Sequence, residues 1–300
     1  MSPLRIGTRR SPLAMAQAEQ VRAQLEALGV EAEFAPMSTS GDDGAGPAAG
    51  TQGLKGLWID TILDALESGE IDVAVHSAKD LPAEDDEGFV IAAVPERADP
   101  GDVLICRTPR ELAHGAVIGT SSLRRRAQLM AAFPRFDVVD IRGNVGTRLR
   151  KLAEQEVDAL VLAAAGLARL GLKPDHARPL PIEAMVPAPG QGCLAIQARD
   201  DDGDTIEILG ALDDPESHRA LDAERSLMWR LGGGCSLPFG AFATVDHDLI
   251  RIVAVVATPD GDSVIRVQAE GGTPEDAAAD AAKSLIAQGA EKILSQVEAG

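Results

Sequence analysis

The run "RLGGGCSLPFG", Arg230 to Gly240, places Cys235 directly behind three glycines. Glycine runs loosen a chain, and so permissive a backbone is an odd place for a thiol that should stay buried. The other two cysteines read differently. Cys106 ends the apolar run "VLIC" and Cys193 opens "CLAI", so both are expected to be small buried hydrophobes. Three cysteines so spaced make neither a disulfide framework nor a zinc site.

The cations are just as unevenly placed. Arg9 and Arg10, then Arg124, Arg125 and Arg126, then Arg142 and Arg148 fall at three strand-to-helix turns. A helix N-terminus already carries about half a positive charge, so guanidiniums gathered there cost stability unless an anion occupies the turn. Forked guanidiniums match carboxylate or phosphate. One such pair reads as a surface ion pair, but three clusters at equivalent turns point to a ligand with several negative groups. No GxxxxGK[ST] loop is present, which disfavours a nucleotide held in P-loop fashion. In "HSAKDLP", Lys79 and Asp80 follow a strand, either as a strand-end salt bridge or as crevice residues. His76 and Ser77 suit packing or the loop equally well. His76 has no second histidine at metal-ligand spacing, so no metal is expected.

The elements around these residues define where they can sit. "LRIG" reads as a strand, and Ser11 as the N-cap of a helix with Pro12 at its first position. Leu13, Val21, Leu25 and Leu28 fall near one helical face, and Gly29 closes it. "EAEFAPM" alternates as a strand, and residues 41–53 form a small, polar, aperiodic loop of the kind that serves as a lid. A helix "LKGLWIDTILDALESG", the strand "IDVAVHSAKDLP" and "FVIAAVP" follow, with "ERADPGD" as a hinge. From about Val103 the order repeats: "VIGTSSLRRRAQL" shares the Ile-Gly-Thr step of "RIGTRRSPLAMAQ", and "VDALV" answers "IDVAV". This predicts an α/β protein with two related lobes and mixed, mostly parallel sheets. After a helix from Asp214 and Pro215, the tail is a strand meander closed by a helix at "TPEDAAADAAKSLI", a small α+β unit.

Three hundred residues imply two or three domains. A net charge of −19, with six lysines against 47 acidic residues, argues against nucleic acid or an anionic membrane as partner. It suits the surface of a protein from a very salty cytoplasm. The N-terminus does not read as a signal peptide, and no run approaches the roughly 20 apolar residues of a membrane span, so a cytoplasmic location is expected.

Eight motifs in one order complete the reading: "TRRSPLA", "LKGLW", "VHSAKDLP", "GTSSLRRRAQL", "DIRGNVGTRLRKL", "AAAGLARLG", "PAPGQG" and "GGGCSLPFG". Across nearly its whole length the sequence resembles the porphobilinogen deaminase family, also called hydroxymethylbilane synthases. The resemblance implies a transferase of tetrapyrrole and heme biosynthesis. Four porphobilinogen molecules would condense head to tail with release of four ammonias, on a dipyrromethane cofactor held by a thioether to Cys235. Two lobes like those of periplasmic binding proteins, residues 1–97 with 190–212 and residues 98–189, would flank a cleft. Residues 213–300 would form the cofactor-bearing domain, in a monomer. Asp80 would be the catalytic carboxylate. Arg9, Arg124, Arg125, Arg142, Arg148 and Arg169 would hold substrate and cofactor carboxylates, assisted by Ser11, Ser77, Lys79, Thr120, Ser122 and Asn144, with Lys55 beside the cleft. Thr51, Gly232 and Trp58 stand where many members carry a lysine, an acidic residue and a phenylalanine. Two other classes stay open on residues alone: a non-catalytic two-lobed anion-binding protein, and a thiol redox protein, for which "GGGCSLP" offers no resolving cysteine.

Overall fold

The computed structural model describes residues 2–37, 51–84, 86–232 and 237–298; for residue 36 and residues 51–58 and 296–298 it describes the backbone only. In chain order the first elements are β1 (Leu4–Arg9), α1 (Pro12–Ala27), β2 (Ala32–Met37), α2 (Thr51–Glu67), β3 (Val73–Ser77) and β4 (Phe89–Ala93). Next come β5 (Asp102–Cys106), β6 (Val117–Gly119), α3 (Leu123–Ala132), β7 (Asp137–Val139), α4 (Val145–Ala153), β8 (Ala159–Ala163), α5 (Ala164–Arg169) and β9 (Ala177–Leu180). The chain continues with β10 (Leu194–Arg199), α6 (Gly203–Gly210) and α7 (Pro215–Arg230), then β11 (Phe239–Asp246), β12 (Leu249–Ala257), β13 (Val264–Gly271), α8 (Pro274–Ala287) and α9 (Ala290–Glu298). The helix expected from Leu54 begins at Thr51, so the end of the presumed 41–53 loop is helical and the rest of it lies outside the described residues.

Two compact units divide the chain: residues 1–97 with 193–218, and residues 98–192 with 219–300. The first holds a sheet in the order β2-β1-β3-β10-β4. β1 pairs in parallel with β2 and β3, while β10 runs antiparallel to β3 and β4. Val21 and Leu25 of α1 pack with Ile6, Val75 and Ile196 on one face. Ile62 and Leu66 of α2 pack with Ile71 on the other. A sheet covered on both faces explains why β3 and β10, in its middle, are buried along nearly their whole length.

The second unit repeats that plan as β7-β6-β8-β5-β9, with β6 parallel to β7 and β8 and β5 antiparallel to β8 and β9. The Ile-Gly-Thr step therefore marks the same place in both units, the end of the strand flanked by two parallel neighbours. Gly119 lets the neighbouring side chains close in there: a Cβ would lie 2.9 Å from Ile141 Cγ2 and Leu160 Cδ2, and both buried side chains would have to shift. The sheets are mixed, and their parallel pairing is confined to three strands in each. The meander β11-β12-β13 is antiparallel and carries α8 on one side through Ala277, Ala278, Ala281 and Leu285. Cys106 and Cys193 are buried, as their apolar runs predict.

Candidate active site

In the first unit β1 and β3 are parallel neighbours, so their C-terminal ends open on the same side, where α/β sheets bind ligands. Arg9 ends β1, and the 3₁₀ turn Ala78–Asp80 ends β3. Arg9, Ser11, Gln17, His76, Ser77 and Asp80 line one cavity of about 150 Å³. Lys79, half-buried, lies in the same turn. Ser11 is the N-cap of α1, its Oγ accepting from the Ala14 N–H at 3.3 Å. Ser77 Oγ accepts a 2.5 Å hydrogen bond from Gln17 Nε2.

His76 is only 8 % exposed. Burial lowers its pKa to about 4 from the ordinary 6.5, against the opposing pulls of the Asp80 carboxylate and Gln197. The imidazole is therefore neutral near pH 7.

In the second unit the turn between β6 and α3 is built by its own side chains. The Ser122 N–H donates to Thr120 Oγ1 at 3.2 Å, and Ser122 Oγ caps α3 by accepting from the Arg125 N–H at 3.4 Å. Arg124 and Arg125 point inward and are buried. Their Nη2 atoms reach the two oxygens of Asp102 at 2.8 Å each, while their Nη1 atoms donate to the carbonyls of Val186 and Val161. Burial would raise the Asp102 pKa, but the two guanidiniums hold it well below the usual carboxylate range. Arg148 donates Nε to the Gly143 carbonyl. Its pKa is lowered by burial and by the charge on Arg125, with Asp140 opposing.

The remaining expected residues are scattered. Asn144 is exposed and caps α4 through Oδ1, accepting from the Thr147 N–H at 2.8 Å. Arg142 is exposed and bonded to Asp140 at 2.8 Å. Arg169 Nη2 donates to the Gly192 carbonyl at 2.8 Å. Cys235 and the Lys55 side chain lie outside the described residues, as do the side chains of Thr51 and Trp58. The structure thus gathers Arg9, Ser11, Ser77 and Asp80 in one unit, and Thr120, Ser122, Arg124, Arg125 and Arg148 in the other.

Sequence reasoning missed Gln17 and Asp102. Gln17 stands four residues from both Leu13 and Val21 on the apolar face of α1, and a polar residue there was the available signal. Asp102 lay in the segment read as a hinge. Nothing local pairs it with arginines more than twenty residues away.

The charge count defines what fits. Arg124, Arg125, Arg142 and Arg148 face Asp102 and Asp140 among the described residues, four guanidiniums against two carboxylates. The Nε atoms of Arg124 and Arg125 are buried with no hydrogen-bond partner among the described residues. Such a donor set suits a group that brings several carboxylates.

Comparison with known proteins gives the setting of that chemistry. The family model described as porphobilinogen deaminase, dipyromethane cofactor binding domain, matches residues 4–207, and that of the porphobilinogen deaminase C-terminal domain matches residues 218–288. This chain belongs to the porphobilinogen deaminase family. Porphobilinogen deaminase of Acidithiobacillus ferrooxidans (strain ATCC 53993 / BNL-5-31) is 46 % identical over 299 residues, covering 98 % of this chain and 98 % of the relative. That of Brevibacillus brevis is 42 % identical over 303 residues, 99 % of this chain and 98 % of the relative. Among solved structures, the methionine binding protein MetQ is similar over 70 % of this chain and 89 % of its own, at 13 % identity and a TM-score of 0.44. The chain is a transferase of tetrapyrrole and heme biosynthesis with dipyrromethane as cofactor, and it condenses four porphobilinogen molecules into hydroxymethylbilane with release of four ammonias. The non-catalytic anion-binding alternative is not favoured. No helix among the described residues is long and apolar enough to cross a membrane.

Proposed function

We propose that the reaction runs on Asp80 in the cavity it shares with Arg9, Ser11, Gln17, His76 and Ser77, and that Cys235 tethers the dipyrromethane through a thioether. That cavity is the observation that carries the reading. Porphobilinogen brings an acetate, a propionate and an aminomethyl group that leaves as ammonia. Arg9, with Ser11, Ser77 and Lys79, binds substrate carboxylates at the strand ends. Arg124, Arg125, Arg142, Arg148 and Arg169, with Thr120, Ser122 and Asn144, hold further carboxylates, and Lys55 adds a cation from α2. When bound, the dipyrromethane supplies the pyrrole that substrate extends.

The Asp80 carboxylate stabilises positive charge on the substrate ring as ammonia departs, and it can accept the proton lost when the ring regains aromaticity. Neutral His76 adds no positive charge of its own beside Asp80. Preorganised charge of this kind lowers the barrier by a few kcal/mol, so Asp80→Asn is expected to lower kcat by roughly 100-fold or more. Near wild-type turnover in that variant would refute the role. Intact mass of the purified protein should exceed the sequence by two pyrrole units, and Cys235→Ser should remove the excess. An unmodified wild-type chain that stays unmodified in porphobilinogen would end this reading.

The three sheets support three domains, residues 1–97 with 190–212, 98–189 and 213–300. The enzyme works as a monomer in the cytoplasm, without nucleic-acid or membrane partners, and its strongly acidic composition is halophile-like.

A further inference from the structure

We propose that Asp102 is a positioning residue for the substrate-binding arginines: a single buried carboxylate that sets Arg124 and Arg125 side by side, itself fixed by Gln191. The proposal rests on the reading of those arginines as carboxylate contacts. Asp102 opens β5 and is completely buried. Oδ2 takes Arg124 Nη2, and Oδ1 takes both Arg125 Nη2 and Gln191 Nε2, each at 2.8 Å. Gln191 Nε2 is held in turn by the Pro100 carbonyl at 2.7 Å. With Nη1 of each arginine bonded to a backbone carbonyl, each guanidinium is held at two points and has one orientation.

Three features go beyond a structural ion pair. A buried pair that serves only packing is commonly replaceable by apolar residues, because desolvation offsets its attraction. Here two guanidiniums share one carboxylate, so the cluster keeps an excess positive charge. Arg125 also acts on Arg148, whose pKa it helps to depress, so like charges are crowded against their mutual repulsion. Finally, both Nε atoms have no hydrogen-bond partner among the described residues. Asp102 thus makes the crowding tolerable while leaving net charge for an acid-bearing ligand, which it does not itself touch.

The test is Asp102→Asn, which keeps the shape and removes the charge, made in the full chain. The expected protein unfolds cooperatively, but less than about half of it carries the two-pyrrole adduct by intact mass. In the loaded fraction the KM for porphobilinogen rises about tenfold or more while kcat changes less than about threefold. Wild-type loading and KM, whatever the loss of Tm, overturn the proposal. If Asp102→Asn does not fold, Gln191→Met decides, since it leaves all three charges in place. A smaller shift of loading and KM in the same direction supports the proposal, and wild-type values overturn it. Arg124→Gln and Arg125→Gln separate the two readings. If both leave loading and KM unchanged, the arginine assignment fails and this inference with it. If they disturb both quantities while Asp102→Asn does not, this inference alone fails.

Discussion

His76 shows how one side chain couples the site to stability. Its folded pKa of about 4 lies below the ordinary 6.5, so between these values the unfolded chain binds the extra proton and the folded chain does not. Stability from the neutral ring is complete above pH 6.5 and falls as pH drops toward 4. The full loss is of order 3 kcal/mol. Asp102 contributes little over most of this window: its carboxylate stays ionised in the folded chain, and the stability it gives is lost chiefly as pH falls below its ordinary value of 3.8, where the unfolded chain takes up the proton. Urea midpoints at about pH 7 and about pH 4.5 should differ more for wild type than for His76→Gln. Equal pH sensitivity would show that the ring is not the group responsible.

At the scale of elements, α3 is gripped from two sides. Its N-terminal turn is fixed by Thr120, Ser122 and the Asp102 cluster, and its later turns meet the hairpin between β12 and β13. Gly261 in that hairpin has φ +76°, and a Cβ there would lie 2.6 Å from the Ala127 carbonyl and 2.8 Å from the Ala131 nitrogen. Both obstacles are backbone and cannot swing aside. Gly261→Val combines left-handed strain with a helix displacement and should cost about 2–5 kcal/mol, read as a fall in Tm. Gly272→Ala, which meets nothing within 4 Å, is the control and should stay within about 0.5 kcal/mol. A mild effect of Gly261→Val would show that the hairpin gives way rather than α3. Loss of porphobilinogen affinity alongside stability would show that the hairpin also supports the arginines.

The whole molecule carries a charge of −19 while keeping an excess of guanidinium charge around Arg124 and Arg125. Self-repulsion among exposed carboxylates weakens as the screening length falls from about 10 Å near 0.1 M salt to about 3 Å near 1 M. The buried Asp102 cluster is screened far less. Raising KCl from about 0.1 M to about 1 M should therefore increase the urea midpoint, whereas a midpoint indifferent to KCl would remove the argument for a high-salt habitat.

Much of this was legible in the amino-acid order. The two lobes could be read because a β-α-β repeat is written in local periodicity and in a shared Ile-Gly-Thr step. Ser11 and Asp214 were legible as helix starts because capping is local: Oγ of Ser11 and Oδ1 of Asp214 each accept an N–H three residues on. Arg9 and Asp80 could each be read as strand-end residues, and the parallel pairing of β1 with β3 brings them to one cavity. The exposure of a turn arginine was not legible. Arg124 and Arg142 are the same residue type at equivalent kinds of turn, yet one is buried against Asp102 and the other is exposed. That difference depends on a carboxylate brought from β5 and a carbonyl brought from residue 186, partners that only long-range sheet pairing and chain return supply. Local residue order determined which elements form and which chemistry they carry; the tertiary structure decided which charges meet, because a buried cation is stable only where distant strands deliver its partners.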